Sequence, residues 1–234
     1  MNIRFIKDSH SSCKSNFFRY FWGDILATCE KFRSQFRARF GKPSRITIVS
    51  GLPRSGTSLM MNMLGQAGLP LLVDNERKAD EDNPKGYFEY ERVKNLPYGD
   101  SKWLEDASGK AVKVIAPLLI YLPKTYQYQI IIMRRDYNEI IASQRNMMSN
   151  RGKITDSNED AELLRIYKSH FDNMMNWIDS QNNIRFLEVN FNELFIKPGF
   201  QVSRVIRFLG KKMSVDQMKA VIDPALYHQR ASNL

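Results

Sequence analysis

The sequence has little of what holds metals or staples small folds together. Two cysteines, Cys13 and Cys29, and three histidines are spread over 234 residues with no CxxC or HxxxH spacing, so neither a zinc centre nor a disulfide framework is indicated. The cysteines read as free thiols of a reducing compartment. No run of about 18 uncharged apolar residues is present, which excludes a legible transmembrane helix. The opening stretch "MNIRFIKDSHSSCKSN" lacks the apolar core of a signal peptide, and a cytoplasmic enzyme or binding protein is expected. Internal repeats and low-complexity linkers are also missing. With 43% apolar residues the chain is long enough to bury one sizeable core, and a single domain over 1–234 is expected.

Charge is present but unevenly placed. Residues 1–45 carry ten Lys/Arg against three Asp/Glu, so most of the net charge of +10 belongs to the N-terminus. There "FFRYFWGDILATCEKFRSQFRARF" sets Phe17, Phe21, Ile25, Phe32, Phe36 and Phe40 at roughly helical spacing, with Arg33, Arg37 and Arg39 between them. Residues 1–44 therefore read as a basic amphipathic helical arm. Three roles stay open for it: packing on the domain, peripheral contact with an anionic membrane, or a groove for an acidic substrate. No nucleic-acid-binding module is legible, and no nucleic-acid partner is expected.

Short Ile/Val-rich runs at 45–50, 111–116, 129–134 and 184–189 predict strands buried on both faces. Helical patterns follow at 57–67, 136–149, 160–180, 199–209 and 214–222, with Ser214 and Gln217 as a capping box. Strand and helix alternating in this order predict an α/β fold with a parallel sheet. The polar region 70–108 reads as a substrate-facing insertion, and its acidic run "ADED" at 79–82 as a solvated face. On the apolar face of the 160–180 helix, His170 is expected to be packed.

The stretch "GLPRSGTS" at 51–58 stands between the first strand and the first helix. Glycines let a loop turn its N–H groups inward, and a helix N-terminus adds positive potential, so this is a cradle for a phosphate-like anion. A nucleotide kinase or hydrolase would next need a Lys on the outer phosphates and an acidic strand end for Mg²⁺. Here Thr57 follows Gly56, Arg54 lies inside the loop, and the central strand ends in "MRRD". The cationic logic is strong and the metal logic weak.

These residues carry a resemblance. "PRSGTS" resembles the 5′-phosphosulfate loop of the sulfotransferases, which use 3′-phosphoadenosine 5′-phosphosulfate (PAPS), in the bacterial branch with an Arg in this loop. The second half of that signature is an Arg at a strand end with a Ser eight residues later. Arg135 and Ser143 have this spacing, with Arg134 the adjacent candidate. Tyr137 stands where relatives often carry Pro. "NFNELFIKPGFQVSRVIRFLG" is similar to the family's late segment, with Phe191 in place of its Tyr. The resemblance covers about residues 45–230. It implies a P-loop-like three-layer α/β fold with a central, mainly parallel sheet flanked by helices, PAPS as sulfuryl donor without a metal, and a small-molecule or carbohydrate acceptor. It also implies roles: Arg54 at the 5′-phosphate and bridging oxygen, Ser55, Gly56, Thr57 and Ser58 as the phosphate cradle, Arg135 and Ser143 at the 3′-phosphate, and Phe191 near the adenine or its phosphate.

The acceptor must lose a proton, and the position of the base in cytosolic relatives, a His, is Ile115 here. Lys113 matches a family Lys and is expected beside the sulfuryl group or flanking the strand end. "NPKGYFEYE" resembles a bacterial motif and makes Glu89 the first choice of base, with Glu76 and Glu91 behind it; a close cation would orient such a carboxylate. His228 and Arg230 resemble a closing C-terminal segment. Two other readings remain: a P-loop kinase or nucleotide hydrolase, and a non-catalytic membrane or polyanion binder.

Overall fold

The chain divides into a unit of residues 1–43 and one of residues 44–234. The computed structural model describes residues 45–152 and 157–227. The amphipathic arm, both cysteines, His10, His228 and Arg230 lie outside the described residues.

Four strands form one parallel sheet in the order β2-β1-β3-β4, from β1 (Ile46–Gly51), β2 (Ala111–Lys113), β3 (Tyr128–Arg134) and β4 (Ile184–Asn190). Register pairs Val49 with Lys113, Gly51 with Met133, and Arg134 with Asn190. The ends of all four strands therefore meet along one edge. β1 is buried throughout and β3 up to Arg134, as their Ile/Val-rich runs lead one to expect, with Thr47, Ser50 and Gln129 as buried polar residues within them. β4, at the sheet edge, is only half-buried. β2 stops at Lys113, three residues before the end expected from its sequence, because the chain turns into a 3₁₀ segment at Ala116–Tyr121.

The period-2 alternation of the strands sorts the core into two layers. Ile46, Ile48, Ile130 and Ile132 face one cluster with Tyr167, Phe171, Met174 and Ile178 of α3 (Ser157–Asp179) and Ile140 and Ile141 of α2 (Tyr137–Asn150). Val49, Ile131, Met133 and Val189 face the other, against Met60, Met61, Met63 and Leu64 of α1 (Thr57–Gln66) and Val202 and Val205 of the later helix Pro198–Leu209. Helices thus cover both faces of the sheet, which is the three-layer α/β arrangement.

Three further features differ from the sequence expectation. A short helix α4 (Phe191–Ile196) precedes α5 (Pro198–Leu209) and starts directly at the end of β4; Asn190 caps it by accepting from Glu193 N at 3.1 Å. His170 is exposed instead of packed, because the buried face of α3 runs Tyr167, Phe171, Met174, Ile178 and leaves position 170 at its margin. The last helix, α6 (Val215–Ala220), is shorter than expected, and Ser214 caps it by accepting from Gln217 N at 3.2 Å. Among the described residues no helix is long and apolar enough to cross a membrane.

Candidate functional site

The loop after β1 has the geometry its glycines foretell. Gly51 has φ +150° and lies so close to Ser55 Oγ and the Met133 carbonyl that an added Cβ would stand 2.5 Å and 2.8 Å from them. Gly56, the N-cap of α1, has φ +97°, and its Cβ would fall 2.3 Å from Cδ2 of Phe191. Arg54 also has a positive φ of 65°, unusual for a side-chain-bearing residue and typical of strained functional loops. The hydroxyl of Ser55 is buried and finds no hydrogen-bond partner among the described residues. A buried orphan hydroxyl on a loop of this shape is a donor awaiting an acceptor.

Loop and strand ends surround a cavity of about 500 Å³. Arg54, Gly56, Thr57, Ser58, Glu89, Lys113, Arg135, Ser143 and Phe191 all line it, while Ser55 lies beneath the loop. The first-choice residues expected from the sequence, Ser55 apart, thus line one concave surface.

At one end stands Arg135. Its Nε donates to Glu139 Oε2 at 2.8 Å and its Nη1 to the Arg54 carbonyl at 3.1 Å, while the guanidinium lies 4.5 Å from the Phe191 ring centre. Glu139 is fully buried, and its other oxygen accepts from Asn192 Nδ2 at 2.8 Å and from the Tyr227 hydroxyl at 2.7 Å. Burial, aided by Glu139, pushes the Tyr227 hydroxyl up to about 12. Arg134 is different: it pairs with Glu188 on the exposed side of β4 at 3.0 Å and does not line the cavity. Between the two neighbours, the cavity takes Arg135, the one with the eight-residue spacing. Arg54 Nε donates to Ser143 Oγ at 3.0 Å, so these two cavity groups touch directly. Burial lowers the proton affinity of the Arg54 guanidinium from its ordinary value, Arg135 adds a little to that shift, and Tyr87, Asp82 and Asp80 oppose it.

At the other end stands Lys113, with its side chain almost wholly buried. Its ammonium donates to the Tyr87 carbonyl at 2.6 Å, to Ser58 Oγ at 3.2 Å and to Glu89 Oε1 at 3.3 Å. Burial lowers its proton affinity and Glu89 works against that shift. Glu89 Oε1 also takes Arg77 Nη1 at 3.1 Å, whereas Oε2 accepts nothing from the described residues. Of the three candidate bases, Glu89 alone lines the cavity; Glu91 pairs with Lys94 at 2.6 Å and Glu76 is exposed.

Residues 44–232 match the sulfotransferase domain family. The chain belongs to the sulfotransferase family. Several solved structures are similar to this sulfotransferase at low identity, and the first of those named next, with a TM-score above 0.5, shares its fold. STF1 from Mycobacterium tuberculosis H37Rv aligns with a TM-score of 0.54 at 13% identity, over 80% of this chain and 74% of that one. The sulfotransferase domain of the olefin synthase of Synechococcus PCC 7002 gives 0.49 and 17%, over 81% and 84%. Retinol dehydratase, solved with retinol and PAP, gives 0.45 and 19%, over 76% and 64%. No curated protein matches the sequence significantly.

Two features of this sulfotransferase escape its motifs. Tyr87 is a keystone: its hydroxyl is bonded to both Asp80 oxygens at 2.7 and 2.8 Å, its ring lies 3.3 Å under the Arg77 guanidinium, and its carbonyl receives Lys113. The only sequence hint was its place in "NPKGYFEYE". The acidic run 79–82 is not simply a solvated face. Asp82 is largely buried, its carbonyl accepts from Arg54 Nη2 at 3.2 Å and its side chain from Asn150 Nδ2 at 2.9 Å, so the run lies over the cavity. Charge pattern alone could not show this, because the partners are 28 and 68 residues away in sequence.

Proposed function

We propose that this sulfotransferase moves a sulfuryl group from PAPS to a hydroxyl or amine of a carbohydrate or other small acceptor, without a metal. The observation that carries the reading is the convergence of the glycine-bearing loop, its orphan Ser55 hydroxyl, Arg135 with Ser143, and the Lys113–Glu89 pair on one cavity. The donor set fits the group: N–H donors, hydroxyls and two guanidiniums suit a nucleotide with anionic centres at both ends, and Phe191 offers a flat apolar surface between them. When bound, PAPS would supply a sulfuryl group to the acceptor oxygen or nitrogen, giving a sulfate ester or a sulfamate respectively, with adenosine 3′,5′-bisphosphate as the leaving group.

This chain's residues do the rest. Arg54 and the donors of Ser55, Gly56, Thr57 and Ser58 hold the 5′-phosphate and steady the charge that grows on it. Arg135, braced by Glu139, and Ser143 hold the 3′-phosphate, which sets the donor apart from ATP. Lys113 stands beside the transferred group and orients Glu89 through Oε1. Glu89 takes the acceptor proton at Oε2. The basic arm 1–44 adds a peripheral contact with anionic membrane, a reading that rests on its charge alone.

Calorimetric binding tests this. Adenosine 3′,5′-bisphosphate should bind without metal and more tightly than ADP. Ser143→Ala should weaken the bisphosphate by about tenfold or more, the worth of one hydrogen bond to a charged group, and leave ADP unchanged. Preference for ATP with Mg²⁺ would instead support the kinase or hydrolase reading and overturn this one.

A further inference from the structure

The cavity wall beyond Lys113 is apolar, and its periodicity extends it outward. The chain leaves β2, passes through extended Ile115 and enters the 3₁₀ segment Ala116–Tyr121. Three residues per turn sort this segment into stripes. Ala116, Leu119 and Leu122 form the inner stripe and are buried in the core. Ile115, Leu118 and Tyr121 form the outer one. Ile115 and Leu118 line the cavity, and Ile115 and Tyr121 are 39% and 45% exposed. Six residues at about 2 Å rise make this track about 12 Å long. Val93 and Tyr90 also line this end of the cavity, and Val93 belongs to the same apolar cluster as Ala116 and Leu119, so the wall is firmly backed.

The charges at this end are matched within the protein. Lys94 pairs with Glu91 at 2.6 Å, Arg92 with Asp100 at 2.7 Å, and Arg77 with Glu89 while stacking on Tyr87. A charged or many-hydroxyl acceptor would have to break these pairs to be read. An apolar body would instead cover exposed Ile115 and Tyr121 and gain from leaving water. Glu89 Oε2 is left to meet one hydroxyl.

We propose that the acceptor is a neutral, elongated alcohol, its single hydroxyl at the Glu89–Lys113 end and its apolar body along Ile115, Leu118 and Tyr121. The proposal rests on the sulfotransferase reading of the cavity and narrows it from small acceptors in general. Sugars are disfavoured.

The full chain, saturated with adenosine 3′,5′-bisphosphate, is titrated calorimetrically with 1-hexanol, 1-octanol, 1-decanol and N-acetylglucosamine. Affinity should rise about fourfold per added methylene along the alcohol series, and decanol should bind at least tenfold more tightly than the sugar. Tyr121→Ser should flatten the step from octanol to decanol. Ile115→Asp should weaken every alcohol at least tenfold, and neither substitution should change bisphosphate affinity. A flat series, a preference for the sugar, or indifference to both substitutions would overturn the proposal. Failure of the bisphosphate itself to bind would count against the donor reading instead, and the alcohol series on the free protein would still report on the track.

Discussion

Replacing Gly56 by alanine tests the central junction of the site, where the loop, α1 and α4 meet. At φ +97° a side chain is strained whatever the space around it, at a cost of about 1–2 kcal/mol. The new Cβ would also stand 2.3 Å and 2.9 Å from two ring carbons of Phe191. That ring cannot simply turn away, since it packs edge-on against Phe195 at 5.1 Å and Tyr227 at 5.3 Å. Overpacking of this kind costs about 1–3 kcal/mol, so the substitution should destabilise by roughly 2–5 kcal/mol. Gly68 is the control, with φ +87° and open space around its Cβ, so Gly68→Ala should cost only the backbone part. Urea unfolding of both variants gives the difference. Displacing Phe191 also disturbs the surface under Arg135, so bisphosphate affinity should fall in Gly56→Ala and not in Gly68→Ala. Equal destabilisation of the two variants, to within about 0.5 kcal/mol, would refute the reasoning.

Arg135→Ala should destabilise by about 3–5 kcal/mol in urea unfolding because it strands the buried Glu139 carboxylate, while Arg134→Ala, which loses an exposed pair, should cost about 1 kcal/mol or less. Asp136→Ala removes the cap that accepts from Asn138 N at 2.8 Å and Glu139 N at 3.3 Å, and thermal unfolding should report a loss of about 1 kcal/mol. Lys113 is held below its ordinary value by burial, so the unfolded chain binds its proton more tightly than the folded one. Stability should therefore rise with pH from the depressed folded value up to about 10.4, and the rise should be absent in Lys113→Met when melting temperature is followed from pH 7 upward.

The sheet and most helices were legible because their signal is local: β1 and β3 are Ile/Val-rich runs and α3 repeats Tyr167, Phe171, Met174, Ile178. The turn at 51–58 was legible because its positive-φ, closely packed positions at Gly51 and Gly56 admit little but glycine, and Arg135 was separated from Arg134 by its spacing to Ser143. Tyr87, Arg77 and Asp82 were not legible as site residues, since their contacts with Lys113, Glu89 and Arg54 join segments that no short-range pattern connects. The helix at Phe191–Ile196 was missed because six residues are too few to show a 3.6-residue period.

The parallel sheet has a consequence for synthesis of the chain. β1 is among the most apolar segments described, yet Thr47 pairs with Ala111 and Ile46 with Tyr128, so its partners are made about 60 and 80 residues later. At roughly 5–20 residues per second, the first partner arrives about 3–13 s after β1 and the second later still. For those seconds a six-residue run, ITIVSG, lacks both of its strand partners. The strand that leads into the Gly51–Ser58 loop is thus exposed to aggregation while it waits, and its yield should depend on translation speed and on chaperones.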